Sequence, residues 1–214
     1  MDDVRYNNDY APCAGTIVCF GTSNTYGYAP DRFPDYQYPE GCAWPEIIGA
    51  ETDWLVLNHG ICGREIPCTE RQIQRICEFA RIWAGERPAP VLLWIELGTN
   101  DLLKHDHFRA EDAAARMEVF LRGLQEEPCV QDGTVRLRLI SPPCPRVGEW
   151  IPDPSRAAEF GRLGIVYRDL ARELGIDYTD TTPWDLPLAC DGVHLTEEGH
   201  RIFAHKAMQE ILST

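Results

Sequence analysis

The chain reads as an α/β protein built on a parallel sheet that helices cover on both faces. Three observations predict this. Short apolar runs bounded by Gly, Pro or polar residues recur along the chain, at residues 16–20, 54–58, 91–97, 135–141 and 176–179. Amphipathic helical stretches fall between them. The length of 214 residues, without internal repeats or low-complexity tracts, suits one domain. Strands alternating with helices imply right-handed βαβ units, and hence a sheet buried on both sides.

Each helix has its own signal. Over residues 69–83, Ile73, Ile76, Cys77 and Ala80 share one face, and Thr69 with Gln72 forms a capping box. Residues 110–124 are Ala-rich, with Met117, Phe120, Leu121 and Leu124 on one face. Residues 155–174 place Phe160, Leu163, Val166, Tyr167 and Leu170 at helical spacing and stop at Gly175, a C-cap residue. Thr196 caps a last helix that extends to about residue 212.

Composition narrows the function. Apolar residues make up 44% and charged residues 25%, which is a globular balance. The net charge of −14 repels phosphate backbones, so nucleic acid and anionic membranes are poor partners. A small neutral or cationic substrate fits better. The longest apolar runs are far shorter than the ~18–20 residues of a membrane span. The first ten residues are polar and acidic, with no basic flank and no apolar stretch, so a cytoplasmic protein is expected. Nine cysteines, none in a C-x-x-C pair, are read as mostly reduced, buried small hydrophobes, and no zinc spacing is present.

In a parallel sheet of this kind, ligands bind beyond the carboxyl ends of the strands. The first run is followed by Gly21-Thr22-Ser23-Asn24-Thr25-Tyr26-Gly27, a turn able to expose a serine together with its own N–H. After the second come Asn58-His59-Gly60-Ile61-Cys62-Gly63, where two glycines bare the backbone N–H groups. After the third comes Gly98-Thr99-Asn100-Asp101, and an Asn amide there is a donor for a developing oxyanion. Late in the chain stand Asp191-Gly192-Val193-His194. Two intervening residues let the carboxylate fold back onto the imidazole Nδ1 and leave Nε2 free to take a proton from a serine. Taken singly, each block also reads as an ordinary turn. Their order, each beside its own strand or leading into the last helix, is what speaks for a site.

These four blocks together resemble the SGNH hydrolase (GDSL-type esterase) superfamily. Ala43-Trp44-Pro45 resembles the start of a helix in that family, and the wording Ser23-Asn24-Thr25-Tyr26-Gly27 is most similar to its arylesterase-like branch. The likeness runs from about residue 16 to the C-terminus. It implies a three-layer α/β/α sandwich around a five-stranded parallel sheet (the flavodoxin-like SGNH hydrolase fold), with residues 1–214 forming a single domain. It implies Ser23 as nucleophile, His194 as general base and acid, and Asp191 as the residue that orients His194. The oxyanion hole would be the Ser23 and Gly63 N–H groups and the Asn100 amide, with Gly63 preferred over Gly60. One departure stands out: Thr22 occupies the position before the serine, where the family usually carries Asp. The expected function is hydrolysis of a small-molecule ester with a short acyl group, acetyl above all, on a carbohydrate or aryl alcohol, without metal or cofactor. A non-catalytic acyl- or glycan-binding protein, or an acyltransferase or perhydrolase using the same site, is the alternative.

The aromatic residues Tyr26, Tyr28, Trp150 and Trp184 are candidate substrate contacts, weighed against packing within their loops. His105-Asp106-His107 reads as a solvated loop, His59 as structural, and His200 and His205 as surface or helix-packing residues. Glu96, just ahead of the Asn100 block, is expected beneath it without an evident role. The sequence leaves open whether the protein is a monomer or a homo-oligomer.

Overall fold

The computed structural model describes residues 13–212. Five strands, β1 (Gly15–Gly21), β2 (Trp54–Gly60), β3 (Val91–Glu96), β4 (Val135–Ile140) and β5 (Asp177–Thr179), form one sheet in the order β2-β1-β3-β4-β5. All four pairings are parallel. This is the 2-1-3-4-5 order of flavodoxin-like sheets, and its switch point lies between β1 and β3. Chain connections leave these two neighbouring strands in opposite directions, which opens a crevice at their carboxyl ends.

Helices α1 (Ser23–Tyr26), α2 (Trp44–Glu51), α3 (Glu70–Glu86), α4 (Thr99–Lys104), α5 (Ala110–Gln125), α6 (Pro128–Gln131), α7 (Pro154–Leu174) and α8 (Glu197–Ala207) complete the layers. Side chains alternate across each strand and divide the core in two. Val18, Phe20, Leu93, Ile95, Leu137 and Leu139 face Ile76, Met117, Phe120, Leu163 and Tyr167 of α3, α5 and α7. Ile17, Cys19 and Trp94 face Trp44, Ile48 and Phe203 of α2 and α8. Trp44 lies 4.6 Å from the Phe203 ring, which anchors α2 to α8.

The expected capping boxes and stops form. Thr69 Oγ1 accepts from Gln72 N, and the Gln72 side chain accepts from Thr69 N at 3.1 Å. Gly175 closes α7 at φ 67°. Three differences have local causes. Strand β2 runs on through His59 and Gly60 because these pair with Phe20 and Gly21 of β1. Strand β5 begins one residue late because Ile176 N still donates to Ala171 O at the end of α7. Helices α1, α4 and α6 are too short to show a period in the sequence. The last helix, expected to about residue 212, ends at Ala207 and continues as a π turn, Met208–Leu212. Cysteine burial also differs from expectation: Cys19 and Cys77 are buried, whereas Cys62, Cys68 and Cys190 are exposed, and all nine are free.

Candidate active site

Strand β1 delivers the serine. It ends at Gly21, Thr22 caps α1 by accepting from Asn24 N, and Ser23 becomes the first helical residue. The turn sits directly over β2: a Cβ on Gly60 would collide with the Tyr26 backbone, so only glycine fits there. Ser23 is 8% exposed, and the little surface it keeps opens into a cavity.

The histidine arrives from the loop before α8. Its Nε2 lies 2.8 Å from Ser23 Oγ, and its Nδ1 lies 2.6 Å from Asp191 Oδ2. The other Asp191 oxygen accepts from Val193 N at 2.9 Å and from His194 N at 3.0 Å. Burial pushes the Asp191 carboxyl up, but the bonds from the His194 ring and from the two backbone N–H groups outweigh it and leave the group below its ordinary value. A carboxylate is thus kept ionised against an imidazole that is 2% exposed.

Asn24 joins the two segments. Its Nδ2 donates to Val193 O at 3.2 Å, and its Oδ1 accepts from Leu195 N at 2.9 Å. One amide thus grips the backbone on both sides of His194, 171 positions away from the serine turn. In the sequence Asn24 looked like any polar turn residue, and no local signal marks a partner so distant.

Across the cavity stand Gly63 and Asn100. Asn100 stands in the first turn of α4 and donates one amide hydrogen to Arg64 O at 3.0 Å, so the side chain is fixed and its second hydrogen is left for a ligand. Lys104 Nζ donates to Gly63 O at 2.6 Å and pairs with Glu65 at 3.2 Å, tying the Gly63 loop to α4. Gly60 lies within β2 and is not part of the cavity lining, whereas Gly63 is.

The cavity measures about 380 Å3 and is completed by Tyr28, Cys62, Leu103, Lys104 and Trp150. Tyr28 packs 4.5 Å from the His194 ring, and Trp150 meets it edge-on at 5.0 Å. Two of the four aromatic candidates lie elsewhere. Trp184 is buried against Phe203, and its Nε1 donates to Glu210, so it is a core residue under α8. Tyr26 turns its hydroxyl to Gln37 at 2.9 Å, away from the cavity.

Glu96 occupies the end of β3 beneath the serine turn and is 1% exposed. Its Oε2 accepts from Thr22 N, Thr22 Oγ1 and Thr25 Oγ1. Burial pushes its carboxyl up to about 7, while the bonds from Thr25 and Thr22 pull the other way. The available signal was an acid closing a strand of otherwise apolar residues, VLLWIE.

The remaining histidines are placed as follows. His105 bonds Glu65 at 2.9 Å, and His59 packs edge-on against Trp83. His205 pairs with Glu51 at the surface. His200, expected at the surface or packed on its helix, is fully buried and accepts from Trp44 N, and burial lowers its imidazole to about 3. Among the described residues, no group of three or more His, Cys, Asp or Glu could hold a metal ion, and no helix is long and apolar enough to cross a membrane.

Residues 19–202 match the family model described as the GDSL-like Lipase/Acylhydrolase family. No curated protein matches the chain. Several solved structures share its fold. The native aryl esterase of M. smegmatis superposes with a TM-score of 0.73 at 22% identity, covering 94% of this chain and 99% of that one. A carbohydrate acetylesterase family member from Sinorhizobium meliloti gives 0.76 at 21%, covering 92% and 97%. A second carbohydrate acetylesterase from the same organism gives 0.70 at 19%, covering 92% and 98%. At such identities these structures establish the architecture.

Proposed function

We propose that this chain, which belongs to the GDSL-like lipase/acylhydrolase family and is a carboxylic ester hydrolase of that family, cleaves short-chain esters through an acyl-enzyme on Ser23. The observation that carries this reading is the unbroken line from Ser23 Oγ to His194 Nε2 and from His194 Nδ1 to Asp191, at 2.8 and 2.6 Å, opening into a cavity of about 380 Å3.

Ser23 Oγ attacks the ester carbonyl while His194 Nε2 takes its proton. Negative charge moves to the carbonyl oxygen. The Ser23 N–H, the Gly63 N–H and the free Asn100 amide hydrogen meet it, and one such donor is worth roughly 3–4 kcal/mol of barrier. Asp191 holds the imidazole in the tautomer that accepts at Nε2 and stabilises the imidazolium that forms. His194 then protonates the departing alcohol. Water, deprotonated by the same ring, releases the acid and restores the serine.

The substrate class follows from the walls. The cavity is small and apolar on the Tyr28, Leu103 and Trp150 side, which suits acetyl or another short acyl group. Aromatic rings beside the reacting centre suit an aryl or carbohydrate alcohol, in keeping with the aryl esterase and carbohydrate acetylesterases that share the fold. The described residues 13–212 work as one unit, because the bonds from Ser23 through His194 join the start of the sheet to the loop before α8.

The test is hydrolysis of 4-nitrophenyl acetate. The parent protein turns it over, and Ser23→Ala lowers kcat by about 10⁴-fold or more with an unchanged thermal melt. A parent inactive everywhere between about pH 5 and pH 9 would leave the binding-protein reading instead.

A further inference from the structure

We propose that Glu96 is a positioning residue for the nucleophile: its carboxyl, buried under the turn between β1 and α1, is the shared acceptor that holds Thr22 and Thr25 and so aims Ser23 at His194. This rests on the reading of Ser23 as nucleophile. Glu96 touches neither the serine hydroxyl nor the cavity, so its influence passes through the turn.

Three observations carry the inference. One oxygen, Oε2, takes bonds from Thr22 N at 3.3 Å, Thr22 Oγ1 at 3.0 Å and Thr25 Oγ1 at 2.9 Å. These donors flank Ser23 on both sides, and all three residues are at most 1% exposed. Water therefore cannot replace the carboxyl, and an apolar residue at position 96 would orphan three donors at once. Second, the turn is shaped around this contact. A Cβ on Gly21 would collide with the Thr25 hydroxyl and stand 3.0 Å from Glu96 Oε2, so the bare glycine is what lets acid and turn meet. Third, the other oxygen, Oε1, is buried without a hydrogen-bond partner. With that oxygen unpaired, what holds the acid in the interior is the set of three bonds that Oε2 accepts from the turn.

Position 22 fits the same account. Thr22 stands where the resemblance leads one to expect an acid. Here the acid enters from β3, the neighbouring strand, whose Glu96 pairs in register with Gly21. The turn has a carboxyl acceptor although its own sequence carries none.

The experiment measures kcat and KM for 4-nitrophenyl acetate in four variants. Glu96→Met, close in volume but without an acceptor, is expected to lower kcat at least about 10-fold and to move KM less than about 3-fold. Adding Thr22→Asp to Glu96→Met returns an acceptor from the other side and is expected to bring kcat within about 5-fold of the parent. Glu96→Gln, which keeps one acceptor oxygen, falls between the parent and Glu96→Met. Ser23→Ala is the fourth. An unchanged kcat in Glu96→Met, or a double variant no faster than the single one, overturns the proposal. Should Glu96→Met not accumulate as folded protein, the double variant decides: folded and active supports the proposal, and inactive or unfolded overturns it. If Ser23→Ala is inactive while Glu96→Met is as fast as the parent, only the positioning role has failed. If Ser23→Ala is as fast as the parent, the nucleophile reading has failed and takes the positioning role with it.

Discussion

The floor and the walls of the cavity at Ser23 are built on different principles. The floor consists of the Ser23 turn and the His194 loop, where buried polar groups bond one another across most of the chain: Ser23 to His194, His194 to Asp191, and Asn24 to both sides of His194. The walls consist of Tyr28, Leu103 and Trp150, held by packing and partly open to solvent, with Trp150 49% exposed. The floor has one geometry, because every alternative leaves a buried donor or acceptor unpaired. The walls can shift by a rotamer at little cost. The floor is therefore fixed by hydrogen bonds between distant segments, and the walls are left to surfaces that can adapt.

The comparison is broken most severely at Asp191. Asp191→Asn keeps an oxygen for the Val193 and His194 N–H groups, so the loop stays folded. It removes the charge that holds the imidazole tautomer, and kcat should fall roughly 10²- to 10⁴-fold with little change in melting temperature. A loss below about 3-fold would mean that the floor does not need its carboxylate.

The two tryptophans expected to touch substrate sharpen the contrast. Trp184→Ala empties a site in the core beside Phe203 and should cost about 3–5 kcal/mol of stability in urea unfolding, with kcat retained in the folded fraction. A variant as stable as the parent would contradict its place in the core.

The floor also carries a pH signature. Glu96 holds its proton to about 7 in the folded chain, against 4.5 for a free glutamate, so the folded state binds the proton more tightly than the unfolded one. Its contribution is complete below about pH 4.5 and is lost as pH rises through 7, a change on the order of 3 kcal/mol. Asp191, lowered from its ordinary value, has the opposite sign: its contribution is present above the usual carboxylate range and is lost on acidification. Urea melts at about pH 5 and pH 8, for the parent and Glu96→Gln, separate the two. The parent should lose more stability than Glu96→Gln on going to pH 8, and equal slopes would refute the raised carboxyl.

The smallest effect belongs to the wall. Trp150→Ala should raise KM for aryl acetates a few-fold, roughly 1 kcal/mol, with kcat and melting temperature nearly unchanged. A loss confined to kcat would place Trp150 among the groups that hold His194 instead.

Much of the fold and of the site was legible in the sequence. The five strands, the capping box at Thr69 and the stop at Gly175 follow from period and cap chemistry, which act within a few residues. The one-turn helices α1 and α4 were not legible, because four and six residues show no period. For Trp184 the sequence leaves contact and packing open, because a tryptophan near a strand end can turn either to the crevice or to the layer beneath α8. Only the packing of Phe203 settled which. Nothing in the sequence marks Lys104 as the bond between Gly63 and α4, because its partner lies 41 positions away.

The sequence by itself determined the α/β layering and marked the four blocks of the candidate site, because hydrophobic period and turn residues are local properties of the chain. Tertiary structure alone decided that Ser23 meets His194 at 2.8 Å, that Asn24 clasps the loop 171 positions away, and that an acid on β3 underlies the serine turn. Those relations depend on strand order and on which buried donors find acceptors, and both are set only when the whole sheet has closed.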